Sequence, residues 1–194
     1  MLRVAVFVSG NGSNLQSLLD YQEQKKLKNA QIALVLSNKA KAYALKRAEL
    51  HHIPSIAYEE EFEPQALKAL RDYEIDCIVL AGFMKILSPS FIRHYPNRII
   101  NIHPSLIPSF CGEGMYGLRV HQAALDYGVK ISGASVHFVN EVVDGGKIIA
   151  QKSVQISSKE TAKSLQKKVM QVEQKILPKA LQILINQTLK DLNA

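Results

Sequence analysis

Residues 1–100 alternate short aliphatic runs with stretches of helical periodicity, and that alternation leaves few folds open. Leu2–Val8 is a Val-rich run, Ser13–Lys28 places Leu15, Leu18 and Leu19 at helical spacing, and Ile32–Leu36 is aliphatic again. Residues 42–52 then read as a helix, Ile53–Tyr58 as a strand, 62–73 as a helix, Ile75–Ala81 as a strand, 88–95 as a short helix with Pro89 near its start, and Ile99–His103 as a strand. Strands this apolar need cover on both faces, and intervening helices let successive strands run parallel. The front half is therefore expected to form βαβ units in a doubly wound, Rossmann-like α/β sheet.

Beyond about residue 130 the pattern changes. Residues 132–156 hold two alternating runs joined at Asp144-Gly145-Gly146, a turn chemistry suited to an antiparallel hairpin. From Lys159 onward Leu165, Val169, Val172 and Ile176 recur at helical spacing, which predicts one long amphipathic helix, bent or restarted at Pro178. No repeat, low-complexity tract or linker interrupts the chain, so one domain over residues 1–194 is expected.

A composition of 47% hydrophobic and 21% charged residues is that of a soluble globular protein. The formal net charge of +7 invites a nucleic-acid reading, but the lysines are interleaved with Glu and Gln along helical stretches, as on a solvated face. Small anionic substrates are the better expectation, with neither nucleic acid nor membrane as partner. The start, "MLRVAVFVSGNGSN", carries no signal-peptide pattern, and the expected compartment is the cytoplasm. Of the two cysteines, Cys77 reads as a core residue and Cys111 as an incidental loop thiol, so no disulfide framework is indicated. Histidines 51, 52, 94 and 121 show no metal-ligand spacing, and no metal is expected.

Two motifs carry chemistry. "VSGNGSNLQ" is a strand, a Gly-x-Gly turn and a helix. Gly10 and Gly12 admit close approach of a ligand to the backbone, and Ser13 or Asn14 is expected to cap the helix, leaving N–H groups to face an anion. Leu15 stands where a dinucleotide fingerprint has its third glycine, and Ser37-Asn38-Lys39 offers no acid for a ribose hydroxyl. A phosphomonoester fits better than NAD or ATP.

The second motif is "NIHP". Asn101 and His103 project from one face of their strand, and Pro104 keeps His103 extended at the strand's carboxyl end, where open α/β sheets bind ligands. An amide there can donate to a developing oxyanion, and an imidazole can move a proton near neutral pH. Asp144, if it meets His103, is expected to raise its pKa. Ser135 and His137 form another same-face pair, in a supporting position.

Taken in order, "SGNGSNLQ", "SNK", "AGFMKILSP", "NIHPSLIPSF", "GASVHFV", "DGGKIIAQ" and "VEQKILP" resemble the folate-dependent glycinamide ribonucleotide formyltransferases over essentially the whole chain. The resemblance implies transfer of the formyl group of 10-formyltetrahydrofolate to the amine of glycinamide ribonucleotide, in purine biosynthesis. It implies Asn101, His103 and Asp144 as the catalytic triad, and Gly10, Asn11, Gly12, Ser13 and Asn14 as the phosphate-binding segment. Glu173 would bind the sugar, while Met84, Lys85, Ile86 and Leu87, with Asn140, Glu141, Val142 and Val143, would wall the folate pocket. Residues 1–100 then form a phosphate-binding half and 101–194 a catalytic and folate-binding half, acting as monomer or homodimer without a metal. Lys85 stands where some members have arginine, and residues 109–120 form a longer loop than in those members, expected to act as a lid. The rivals are a formyltetrahydrofolate hydrolase, a formyltransferase for aminoacyl-tRNA or an amino sugar nucleotide, and a non-catalytic nucleotide-binding module. Those formyl-group rivals, the hydrolase included, usually carry an extra domain, for which 194 residues are expected to leave no room.

Overall fold

The computed structural model describes residues 1–193. β1 (Leu2–Val8), α1 (Ser13–Glu23), β2 (Ala30–Ser37), α2 (Tyr43–Leu50), β3 (Ser55–Ala57), α3 (Phe62–Asp72), β4 (Cys77–Leu80), α4 (Pro89–Arg93) and β5 (Ile99–His103) follow one another. α5 (Leu118–Tyr127), β6 (Ile131–Phe138), β7 (Ile148–Gln155) and α6 (Ala162–Leu192) complete the order. The seven strands form one sheet in the order β3-β2-β1-β4-β5-β6-β7. β1 to β5 pair in parallel, and β6 and β7 are antiparallel to their neighbours.

The alternation of side chains along β1 divides the core. Val4, Val6 and Val8 face Leu15, Leu18 and Leu19 of α1, Ala44 of α2 and Leu177, Leu181 and Ile185 of α6, whereas Ala5 and Phe7 face Phe62 and Leu70 of α3 and Phe91 of α4. Each fully buried aliphatic or aromatic side chain contributes about 1.5–3 kcal/mol of transfer free energy, which explains why β1, buried almost throughout, is central.

The sheet was legible in the sequence, with corrections at its ends. α1 stops at Glu23 rather than near Lys28, because Lys25 takes a left-handed φ of 55° that ends the α-helical ladder. α6 opens at Ala162 with a capping box, in which the Thr161 side chain accepts from Ser164 N and Ser164 Oγ accepts from Thr161 N. It runs through Pro178 without a restart. β6 and β7 are joined by residues 139–147 rather than by a tight turn at Asp144-Gly145-Gly146. Helix α5 went unread although its signal is present, with Val120, His121 and Ala124 buried on one stripe.

The strand order reverses between β1 and β4. Outside the carboxyl ends of those strands a crevice opens, and the segments after β1, β4 and β5 all border it.

Candidate active site

The chain places Asn101 and His103 at the carboxyl end of β5, paired across to His137 and Ser135 of β6. Asp144, in the β6–β7 loop, takes a left-handed φ of 54°, a conformation that aspartate tolerates better than most residues. Its carboxylate meets the strand pair: Oδ2 lies 3.4 Å from His103 Nδ1, and Oδ1 lies 3.4 Å from both Asn101 Nδ2 and His137 Nε2. Gly112 N donates to Oδ2 at 2.9 Å. His103 Nε2–H donates to the Phe110 carbonyl at 3.0 Å, and His137 Nδ1–H to its neighbour's carbonyl at Phe138, 2.8 Å away. Asn101 Nδ2 approaches His137 Nε2 to 3.2 Å.

Burial opposes charge on Asp144, but the hydrogen bond to His137, the nearby His103 and the Gly112 N–H together hold its carboxyl below the usual range. His103 departs from expectation. Burial is the largest influence on it and pushes the imidazole below its usual value, against the opposing pull of Asp144 and the Phe110 carbonyl. Asp144 thus limits a fall in His103's proton affinity instead of producing a rise. Cys111, on the loop nearby, has its thiol pushed up by burial and by Asp144, which makes it a poor nucleophile.

At the first turn, Gly12 is the residue that needs to be glycine: its φ is 75°, and a Cβ would stand 2.6 Å from the Ala44 Cβ. Gly10 faces open space, with no protein atom within 4 Å of the place a Cβ would take. Neither Ser13 nor Asn14 caps α1, whose N-cap is Gly12 with no side-chain hydrogen bond. Asn14 instead reaches across to α6 and donates from Nδ2 to Glu173 Oε2 at 2.9 Å, while its buried Oδ1 finds no partner among the described residues. Burial pushes the Glu173 carboxyl up, against that hydrogen bond. Asn14 and Glu173 together line one wall of the crevice.

The crevice is a cavity of about 730 Å³. It is lined by Asn11, Ser13, Asn14 and Glu173, by Asn101, His103, His137 and Asp144, and by Met84, Lys85, Ile86, Leu87 and Asn140, Glu141, Val142, Val143. Gly10, Gly12 and Ser135 do not line it. Ser135 Oγ donates to the Ser105 carbonyl at 2.7 Å and accepts from Ile107 N and Gln151 Nε2, and so anchors the loop that carries Phe110. Exposed Met84, Ile86, Val142 and Val143 give the cavity an apolar part of its lining. Among the described residues no group of His, Cys, Asp and Glu is arranged to hold a metal ion.

A family model described as formyl transferase matches residues 2–181. The chain belongs to the formyl transferase family. A formyl transferase relative, the Bacillus subtilis phosphoribosylglycinamide formyltransferase, is 36% identical over 192 residues, covering 95% of each chain. The human trifunctional purine biosynthetic protein adenosine-3 is 40% identical over 97% of this chain, which spans 19% of that protein's length. The crystal structure of glycinamide ribonucleotide transformylase 1 from Symbiobacterium toebii superposes with a TM-score of 0.89 at 34% identity, covering 96% of this chain and 89% of that one.

Backbone groups of the loop, the Phe110 carbonyl and Gly112 N–H, were invisible to residue patterns, since any residue type supplies them. His121 was missed as a lining residue because helix α5 was not recognised; it lies 1% exposed against the cavity, with Nδ1 lacking a partner among the described residues. Burial, and secondarily His103, lowers its pKa to about 4. On acidification from its ordinary 6.5 the unfolded chain therefore takes up this proton first, so stability is full above pH 6.5 and falls toward pH 4. At about 1.4 kcal/mol per unit the loss is on the order of 3 kcal/mol. Urea unfolding of wild type at pH 7.5, 6, 5 and 4.5 is expected to trace that decline, and His121→Leu to remove most of it. An unchanged slope in the variant assigns the loss to other groups.

Proposed function

We propose that the protein transfers the formyl group of 10-formyltetrahydrofolate to the amine of glycinamide ribonucleotide, giving formylglycinamide ribonucleotide and tetrahydrofolate. The observation that carries this reading is the convergence of Asn101, His103 and Asp144 in one cavity, which the start of α1 and the exposed apolar Met84, Ile86, Val142 and Val143 also line. The ribonucleotide phosphate sits at the start of α1, its ribose against Glu173 and Asn14, and the folate ring between Met84–Leu87 and Asn140–Val143. Lys85 supplies a cation for the folate's anionic tail.

The amine attacks the formyl carbon, and the carbonyl oxygen gains negative charge. Asn101 Nδ2 and the imidazole N–H of His103 donate to that oxygen, a role for which His103 Nε2 exchanges the Phe110 carbonyl for the substrate. Asp144 keeps His103 oriented through Nδ1 and, through a water, passes the amine's proton to the folate nitrogen as the carbon–nitrogen bond breaks. His137 and Ser135 hold this assembly from β6. The enzyme works in the cytoplasm on small molecules as one domain over residues 1–194, monomeric or homodimeric. No described helix is long and apolar enough to cross a membrane.

The test is the absorbance change on deformylation of the folate donor, with and without glycinamide ribonucleotide. Deformylation is expected to require the ribonucleotide and to fall about 10²–10⁴-fold in His103→Ala and Asn101→Ala. Deformylation in its absence makes the protein a hydrolase, and none under either condition leaves a binding module.

A further inference from the structure

The glycine turn is held from behind. Ala44 N, at the start of α2, donates to the Gly10 carbonyl at 3.1 Å, and Arg47 Nε donates to the Asn11 carbonyl at 2.8 Å. A trans peptide is planar, with its N–H directed opposite to its C=O. Two successive carbonyls tied to α2 therefore turn the two following N–H groups, of Asn11 and Gly12, away from α2. Those N–H groups and that of Ser13 donate to nothing among the described residues. A concave run of N–H groups of this kind binds anions.

Arg47 does not line the cavity. Its guanidinium is fixed on every side: Nη1 donates to Gln16 Oε1 at 2.9 Å, Nη2 reaches Asn11 Oδ1 at 3.5 Å, and the group stacks 5.0 Å from the Tyr43 ring centroid. The bond from Nη1 sets which end of the Gln16 amide is oxygen. Gln16 Nε2 must then donate to His51 Nε2, 3.0 Å away, and His51 Nδ1–H to Glu23 Oε1 at 2.7 Å. A chain of four side chains thus runs from the end of α1 to the turn that precedes it. The Arg47 contacts to the Gln16 and Asn11 side chains and the Tyr43 ring fix the guanidinium where Nε meets the Asn11 carbonyl.

We infer that Arg47 is the positioning residue of the phosphate turn: it locks the Asn11–Gly12 peptide so that the turn's N–H groups face the ribonucleotide phosphate. This rests on the proposed function for the identity of the anion, and not for the geometry. Losing the guanidinium frees the peptide to rotate, and the turn must then be ordered by the ligand, at the expense of affinity.

The experiment is steady-state kinetics and thermal melting of wild type, Arg47→Gln, Arg47→Lys and the milder Gln16→Ala. Arg47→Gln is expected to raise KM for glycinamide ribonucleotide about tenfold, with kcat and KM for the folate donor within about twofold of wild type. Arg47→Lys, a point charge without the fork, recovers only part of the loss, and Gln16→Ala shifts the same KM by a smaller factor. A generally destabilised protein would lose active enzyme without moving one KM alone. An unchanged ribonucleotide KM in Arg47→Gln overturns the inference, and full recovery by lysine overturns the peptide lock. If the wild type itself shows no ribonucleotide-dependent turnover, the functional reading has failed. Protection from melting by inorganic phosphate then still decides the inference, being expected in wild type and lost in Arg47→Gln.

Discussion

Asp144→Asn is expected to lower kcat about a thousandfold with the fold intact. The side chain keeps its size, and one oxygen can still accept the Gly112 N–H that Asp144 Oδ2 accepts at 2.9 Å. What disappears is the negative charge lying 3.4 Å from both His103 Nδ1 and His137 Nε2. Two consequences follow for the proposed chemistry. The oxygens that relay the amine's proton lose their basicity, for which general-base contributions of 10²–10⁴ are usual. His103 also loses the charge that opposes its burial, so its pKa, already below the ordinary value, falls further. If the protonated imidazole is the donor to the oxyanion, the residual activity of the variant declines with rising pH from a more acidic midpoint than in wild type. Profiles of kcat against pH for the two proteins, with urea unfolding as control, make the check. Wild-type turnover at any pH would remove Asp144 from the catalytic group, and an unshifted midpoint would remove His103 as the titrating donor.

Such a profile matters because the sign of the His103 shift is where reading residues failed most instructively. That Asn101 and His103 share a face was fixed by strand periodicity, and their place at a carboxyl end by Pro104. That Asp144 meets them depends on a loop over residues 139–147 folding back, which no spacing reports. Whether a carboxylate beside an imidazole raises its pKa depends on how dry the imidazole is, and His103 is 4% exposed. The same limit applies at the glycine turn. The "GNGS" motif announced a helix start open to an anion, but Asn14 was as plausible a cap as a partner for Glu173, 159 residues away in sequence. Local pattern determined β1, β2, β4 and β5 because aliphatic runs have little else to become. Long-range polar pairing decided the site, and it is written in tertiary contacts. Helix α5 is the exception, since its buried stripe was there to be read.

The loop that delivers Asp144 has a second point of weakness. Gly146→Ala is expected to lower stability by about 3 kcal/mol and to reduce turnover at least a hundredfold, although Gly146 does not line the cavity. Gly146 does not adopt a left-handed φ, so conformational freedom is not what requires glycine there. The reason is proximity: a Cβ built on it would stand 1.7 Å from the Phe138 carbonyl oxygen and 2.7 Å from the carbonyl carbon. Those are backbone atoms of the last residue of β6, held by Phe138 N donating to the Lys147 carbonyl at 2.9 Å and, on the other side, by the β5–β6 ladder, in which Phe138 pairs with Ile100. Neither side can yield as a flexible side chain would. The methyl group therefore drives the loop and the strand end apart. His137 precedes the displaced carbonyl by one residue, Asp144 lies two residues before the new methyl group, and their 3.4 Å contact is the one that must open. A misplacement near 1 Å at a reacting centre is enough to lower rates about a hundredfold. Urea unfolding and kcat measured on the same preparation separate the two effects, because a mutation that only destabilised the fold would leave kcat per folded molecule unchanged. If Gly146→Ala is as stable and active as wild type, the loop is freer than its packing implies, and Asp144 is held by its contacts to Gly112, Asn101 and His137 rather than by the path of the chain.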